Sequence, residues 1–190
     1  MKQKILDTIA EHKKLIADFE TQCTGDIAAA AEMIVDCYKK GGTVYICGNG
    51  GSAADAQHIA GELVGRFLKE RKAFPAVALS TDTSVLTAVA NDYGFDRVFE
   101  RQVEGLVREG DILWGLTTSG TSKNILSAAT LAKQKGAKIL AFTGKKDTPL
   151  EKISDVCVKT DTENSYSAQQ IHQVAYHIIC DLVETSLTTG

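Results

Sequence analysis

Proline is scarce in this chain, two residues among 190 against sixteen glycines, which favours long regular elements joined by glycine turns. Positive charge is not in excess: 21 Lys and Arg against 24 Asp and Glu leave a net charge of −3. No overall field therefore exists to hold nucleic acid or an anionic membrane, and an anionic ligand must be caught locally. Long hydrophobic runs are missing too. Glu32 interrupts the most apolar early stretch, Ile27 to Val35, far short of the roughly 18 residues that span a bilayer. Asp7 and Glu11 break the first apolar positions before a secretory core can form. Cysteine is present, but Cys23, Cys37, Cys47, Cys157 and Cys180 are odd in number and lack C-x-x-C spacing, which excludes a disulfide framework and a zinc ribbon. A cytoplasmic protein with neither a nucleic-acid nor a membrane partner is expected.

What is present is a globular composition, 44% hydrophobic and 24% charged. At roughly 150 residues per domain, residues 1–190 form one domain. Ile5, Leu6, Ile9, His12 or Lys13 and Ile16 recur at helical spacing from about Lys2 to Phe19. A second helix starts near Thr24 or Asp26, carries Ile27, Ala30, Ala31, Ile34, Val35 and Tyr38, and stops at Lys40-Gly41-Gly42. Together they predict a helical hairpin over about residues 1–41. From about residue 42 the period changes. Short apolar runs at Thr43–Cys47, Ala76–Leu79, Ile112–Leu116, Lys138–Phe142 and Val156–Val158 alternate with helical segments, and Asn164 or Ser165 opens a last helix reaching about Leu187. The pattern predicts an α/β three-layer sandwich around a five-stranded parallel sheet.

Two loops carry the chemistry. Gly48-Asn49-Gly50-Gly51-Ser52-Ala53 follows the first strand and fits G-x-G-x-x-A, the loop that sets backbone N–H groups against a pyrophosphate. The ribose-binding acid that should follow is misplaced, Asp82 being late and Glu70 lying in a charged loop, so the glycines fit a tight turn as well as a dinucleotide site. Thr117-Thr118-Ser119-Gly120-Thr121-Ser122 leaves the third strand and enters a helix. Its hydroxyls, added to free N–H groups and a helix dipole, make a phosphate cradle, where capping alone needs a single Ser or Thr. No G-x-x-x-x-G-K-[ST] motif accompanies it.

His58 and Glu62 stand four apart on one helix face and can share a metal ion, while Gln169, His172, Gln173 and His177 on the last helix are further candidate ligands. Spacing does not choose among them. Asn91-Asp92 closes a helix that starts near Thr83 and serves either as a C-terminal turn or as a ligand contact; Arg66 reads as a salt bridge or a ligand contact.

Cys47 through Leu63, Asn91-Asp92-Tyr93-Gly94, Thr117 through Asn124 and Gln169 through His177 together resemble the phosphoheptose isomerases of the sugar isomerase (SIS) domain family, across nearly the whole chain. The resemblance implies a flavodoxin-like SIS fold and interconversion of sedoheptulose 7-phosphate and glycero-manno-heptose 7-phosphate, the first step of bacterial heptose synthesis. It further implies a zinc-dependent homotetramer with sites between subunits. By position it gives zinc ligands His58, Glu62, Gln169 and His177, leaving His172 out. Sugar contacts fall to Asn49, Gly50, Gly51, Asn91, Asp92 and Gln169, and phosphate contacts to Thr117, Thr118, Ser119 and Ser122, while Ser52 and Arg66 match less central positions. Proton transfer falls to Glu62 and His177.

The chain departs from the family pattern at Thr117, usually Ser, at Thr121, usually Asn, and at Ser167-Ala168-Gln169-Gln170, where Arg-Ile-Gln-Glu is usual. The last change bears on the start of the helix, on subunit contacts or on the sugar accepted. Chemically, a ketose-to-aldose isomerisation needs a base beside the carbonyl carbon and an acid or electrophile for the enediolate, the second task suiting a divalent ion. Two competing readings are a non-catalytic tetramer that partners the replication initiator and a sensor or isomerase of another sugar phosphate. Retention of His58, Glu62, Gln169 and His177 favours the enzyme.

Overall fold

The computed structural model describes residues 1–162 and 164–188, so Gly190, the expected limit of the domain, lies outside the described residues. The first element, α1 (Lys2–Lys39), is one unbroken helix of 38 residues, roughly 57 Å long. This corrects the expected hairpin. Thr24, one of the two expected starts of the second helix, turns its hydroxyl back onto the Glu20 carbonyl inside the helix. Gly25 costs about 1 kcal/mol in a helix interior, but Phe19, Cys23, Ile27, Ala30, Ala31 and Ile34 bury one continuous stripe across it. The helix ends as expected, with Gly41 at a φ of 78°.

Five strands follow: β1 (Val44–Gly48), β2 (Ala76–Ala78), β3 (Ile112–Thr117), β4 (Lys138–Thr143) and β5 (Val156–Lys159). All pairs are parallel, in the order β2-β1-β3-β4-β5. Every residue of β3 is buried, which is why its sequence is a near-continuous apolar run rather than an alternating one. Asp111 fixes the register at the foot of the sheet, one carboxylate oxygen accepting from Thr43 N at 2.8 Å and the other from Arg108 N at 2.8 Å.

Helices cover both faces, as the expected three-layer α/β sandwich requires. On one side α1, α2 (Gly51–Val64) and α7 (Ser165–Thr188) enclose Ile34, Ile46, Ile59, Trp114 and Ile179. On the other, α3 (Thr83–Tyr93), α4 (Glu100–Leu106), α5 (Lys123–Gln134) and α6 (Pro149–Ile153) enclose Leu79, Val98, Leu113 and Ile125. The chain leaves β1 into α2 on the first face and leaves β3 into α5 on the second. Adjacent strands whose connections diverge open a crevice at their carboxyl ends.

A buried ion pair fixes the segment after α2. Glu184 on α7, 1% exposed, accepts from the N–H groups of Phe67, Leu68 and Lys69 at 2.6–2.9 Å and from Arg71 Nε at 2.9 Å. Arg71 in turn donates to the carbonyls of Glu62 at 2.8 Å and Leu63 at 2.9 Å. The end of α2 is thereby tied to α7, and the Phe67 ring is stacked on His177 with centroids 5.7 Å apart.

Candidate functional site

The two polar loops meet in the crevice between β1 and β3. Asn49, after β1, and Asn124, in the first turn of α5, exchange amide hydrogen bonds at 2.9 and 2.8 Å, and Asn124 Oδ1 also accepts from Ile125 N at 3.0 Å. Asn124 is buried, and its sequence position alone suggests no role; only the juxtaposition of loops 75 residues apart reveals it. Asn49, Ser52, Thr117, Thr118, Ser119, Ser122 and Gln169 line a small cavity of about 90 Å³. Its hydroxyls are not consumed by capping. Ser122 occupies the N-cap of α5 without a side-chain cap bond; its Oγ instead lies 2.9 Å from Thr117 Oγ1, which is 3.2 Å from Ser119 Oγ. Thr118 Oγ1 donates to Ser165 Oγ at 3.0 Å, joining the loop to the start of α7. Gly120 is dictated by close approach, while Gly51 meets only the movable end of Gln169. A Cβ on Gly51 would stand 2.6 Å from Gln169 Oε1, and one on Gly120, at a φ of 67°, would stand 2.3 Å from Thr148 Cβ.

Farther along the same pair of helices lies a second cluster. His58 Nε2 is 3.0 Å from Glu62 Oε1 and 3.5 Å from His177 Nε2. One ligand atom from each of His58, Glu62 and His177 falls within 4.8 Å of the others. Burial and the neighbouring His58 hold the His177 imidazole below its ordinary pKa, with Glu62 opposing them, so the ring is neutral near pH 7. Tyr176 OH is hydrogen bonded to His58 Nδ1 at 2.9 Å. Asp55, one turn before His58, has Oδ2 buried without a partner among the described residues, and burial raises its carboxyl to about 6 against the pull of His58. Neither Tyr176 nor Asp55 is marked as a site residue by any spacing in the sequence.

His172 is wholly buried, its ring beside Phe142 and its Nε2 3.3 Å from the Thr143 carbonyl. Gln169 stands in the hydroxyl cavity against Gly51, two helical turns before His177. Asn91 and Asp92 are exposed, paired with each other at 2.8 Å, and form no part of that cavity's wall. Arg66 reaches Glu70 at 3.7 Å. Asp82 caps α3 by accepting from Val85 N at 2.9 Å, so neither acid is placed to read a ribose and the glycine loop is not a dinucleotide site.

The SIS domain family matches residues 9–144. A phosphoheptose isomerase of Geobacter metallireducens is 46% identical over 187 residues, covering 98% of this chain and 99% of the relative. The chain belongs to the phosphoheptose isomerases of the SIS domain family. The solved structure of the phosphoheptose isomerase from Neisseria gonorrhoeae superposes with a TM-score of 0.92 at 36% identity, covering 97% of this chain and 98% of that one. That from Francisella tularensis gives 0.93 at 35%, with 96% and 97% covered. Where this phosphoheptose isomerase departs from the usual pattern at the start of α7, Ser167 is buried and its Oγ donates to Glu11 on α1 at 3.2 Å. Gln170 remains exposed.

Proposed function

We propose that the chain interconverts sedoheptulose 7-phosphate and glycero-manno-heptose 7-phosphate through an enediolate, with Glu62 and His177 moving the protons. The observation that carries this reading is the convergence of His58, Glu62 and His177, from two helices, within 4.8 Å. The hydroxyl cavity lies farther back along the same helices. Gly51 and His58 are seven residues apart on α2, on the order of 10 Å along the axis. That separation suits a substrate with its phosphate at one end of a seven-carbon chain and its reacting carbons at the other.

At the phosphate end, Thr117, Thr118, Ser119 and Ser122 supply hydroxyl donors and the start of α5 supplies backbone N–H groups, which together hold a dianion without a Lys or Arg. Asn49, Gly50, Gly51, Ser52 and Gln169 contact the sugar. At the reacting end, one of Glu62 and His177 removes the proton beside the carbonyl and the other moves a proton at the adjacent oxygen. The neutral His177 ring can accept a proton only while its lone pair is not given to a metal ion. Two imidazoles and a carboxylate also fit a divalent ion such as zinc, whose three-residue sites leave positions open. Bound there, such an ion would polarise the sugar oxygens and lower the cost of enediolate charge. His58, Glu62 and His177 would hold it; the Gln169 amide joins them only by turning from Gly51.

We further propose that the active assembly is a homotetramer and that the exposed Asn91 and Asp92 serve a site completed by another subunit. Proton NMR in D2O with sedoheptulose 7-phosphate tests the reaction. The expected result is an aldose 7-phosphate deuterated at C2, formed with zinc and suppressed by a chelator. Absence of both product and exchange in zinc-loaded protein overturns it.

A further inference from the structure

Tyr176 is the polar side chain that the structure places on the far side of the His58 ring. Its residue is wholly buried, its hydroxyl is 2.9 Å from His58 Nδ1, and the two rings meet edge to face at 5.4 Å between centroids. On the other side, His58 Nε2 lies 3.0 Å from Glu62 Oε1. A carboxylate only accepts, so in the metal-free neutral ring Nε2 carries the proton and donates it to Glu62, and Nδ1 must accept from the tyrosine O–H. A metal ion takes Nε2 as a lone pair, which obliges the ring to carry its proton on Nδ1 instead. One proton leaves Nε2 and one is gained at Nδ1, so the imidazole stays neutral.

We propose that Tyr176 is a positioning residue for His58 that serves both states, donating to Nδ1 in the metal-free site and accepting from Nδ1–H when Nε2 is engaged by a metal. The proposal rests on the reading of His58, Glu62 and His177 as a metal site. A hydroxyl can reverse its role in this way. A carboxylate or carbonyl at the same place would only accept, and would leave the Nε2 lone pair facing Glu62 whenever the metal is gone. After the reversal the tyrosine proton needs a new acceptor. Asp55, one turn from His58 on α2 and with Oδ2 buried without a partner among the described residues, would have to turn towards Tyr176 to receive it. The signal is specific to the fold, since Tyr176 and His58 are 118 residues apart.

The test is long-range 1H–15N correlation of the histidine rings in 15N-labelled protein, recorded without metal and after addition of zinc, with zinc affinity measured by chelator competition. Wild-type His58 is expected to carry its proton on Nε2 without metal and on Nδ1 with zinc. Tyr176→Phe keeps the ring and removes the hydroxyl. It is expected to mix the tautomers in the metal-free protein and to weaken zinc binding roughly 10-fold or more, with an unchanged far-UV circular dichroism spectrum. Identical tautomer populations and zinc affinity in wild type and Y176F overturn the proposal. So does a wild-type ring that already carries its proton on Nδ1 before zinc is added, a result that needs no variant. If wild-type protein binds no zinc, the metal-site reading falls on its own, and the metal-free tautomers still decide what Tyr176 does.

Discussion

One buried and one half-buried group contribute with opposite sign to the acid response at the residue scale. Burial lowers the His172 imidazole from 6.5 to about 4, the Thr143 carbonyl opposing. Between those values the unfolded chain binds a proton that the folded chain refuses, so this residue makes stability fall as pH falls from 6.5 towards 4. Asp55 acts the other way. Its carboxyl rises from 3.8 to about 6, so the folded chain holds the extra proton in that window and stability falls as pH rises through it. The two contributions have opposite sign over nearly the same pH range, so in the intact protein each masks much of the other. In the metal-free protein, His172→Gln is therefore expected to lose less stability than wild type as pH drops from 6.5 to 4, and Asp55→Asn to lose more. Urea unfolding across that range checks both; parallel profiles for all three proteins contradict the assignment. His177→Gln is an activity test: with the neighbouring His58 and Glu62 intact, turnover is expected to fall by roughly 10²–10⁴-fold with the thermal midpoint little changed. Wild-type turnover in His177→Gln removes that residue from proton transfer.

Among the elements, the outcome was set by which local signal was cheap to override. All five strands and the last helix were legible, because buried parallel strands write themselves as short apolar runs and Ser165 starts α7 where a polar opening was expected. The helical hairpin was not. A Thr-Gly-Asp sequence is a strong cue for a break, yet one glycine costs about 1 kcal/mol, while the stripe from Phe19 to Ile34 is buried against α7 and the sheet. The site divided along the same line. His58 and Glu62 are one turn apart and were readable as a pair, but the choice of His177 over His172 by residue type alone was not, because both lie on α7 and only packing sends one into the core and the other to α2. Tyr176 and Asn124 depend wholly on contacts between distant segments. The Glu184–Arg71 clasp was equally invisible, and its removal is a test of how the site is held. Burial alone would raise the Glu184 carboxyl; the three backbone N–H groups and Arg71 bring it below its ordinary 4.5. Its contribution is therefore present above that value and is lost as pH falls through the lower folded one. Glu184→Ala leaves Arg71 buried and unpaired and is expected to cost about 3–5 kcal/mol, read by urea unfolding at pH 7. A cost under about 1 kcal/mol, typical of exposed pairs, contradicts the burial argument.

For the whole molecule, the first half of α1 and the outer face of α7 remain unaccounted for by the fold of one chain. Ile5, Leu6, Ile9 and Ile16 on α1 are 47–56% exposed, and Val174, Ile178 and Leu182 on α7 are 36–41% exposed. Ile16, Phe19, Ile27, Val174, Ile178 and Leu182 line an open groove of about 370 Å³ between these helices. A helix of roughly 57 Å is longer than the sheet it covers needs, and its free half carries an exposed apolar stripe, Ile5, Leu6, Ile9 and Ile16, beside its charged residues. In the proposed homotetramer, equivalent helices of other subunits would pack against this groove and bury that surface with closed symmetry. The proposed tetramer would also give Asn91 and Asp92, exposed and outside the hydroxyl cavity of their own chain, a site to serve. Light scattering is then expected to give a mass near four times the 20.4 kDa chain. Ile178→Glu, which sets charges around the groove, is expected to yield smaller species with native circular dichroism and with activity reduced in proportion to the lost tetramer. Full activity in a species confirmed as monomeric would show that each chain completes its own site and that the apolar groove serves something other than catalysis.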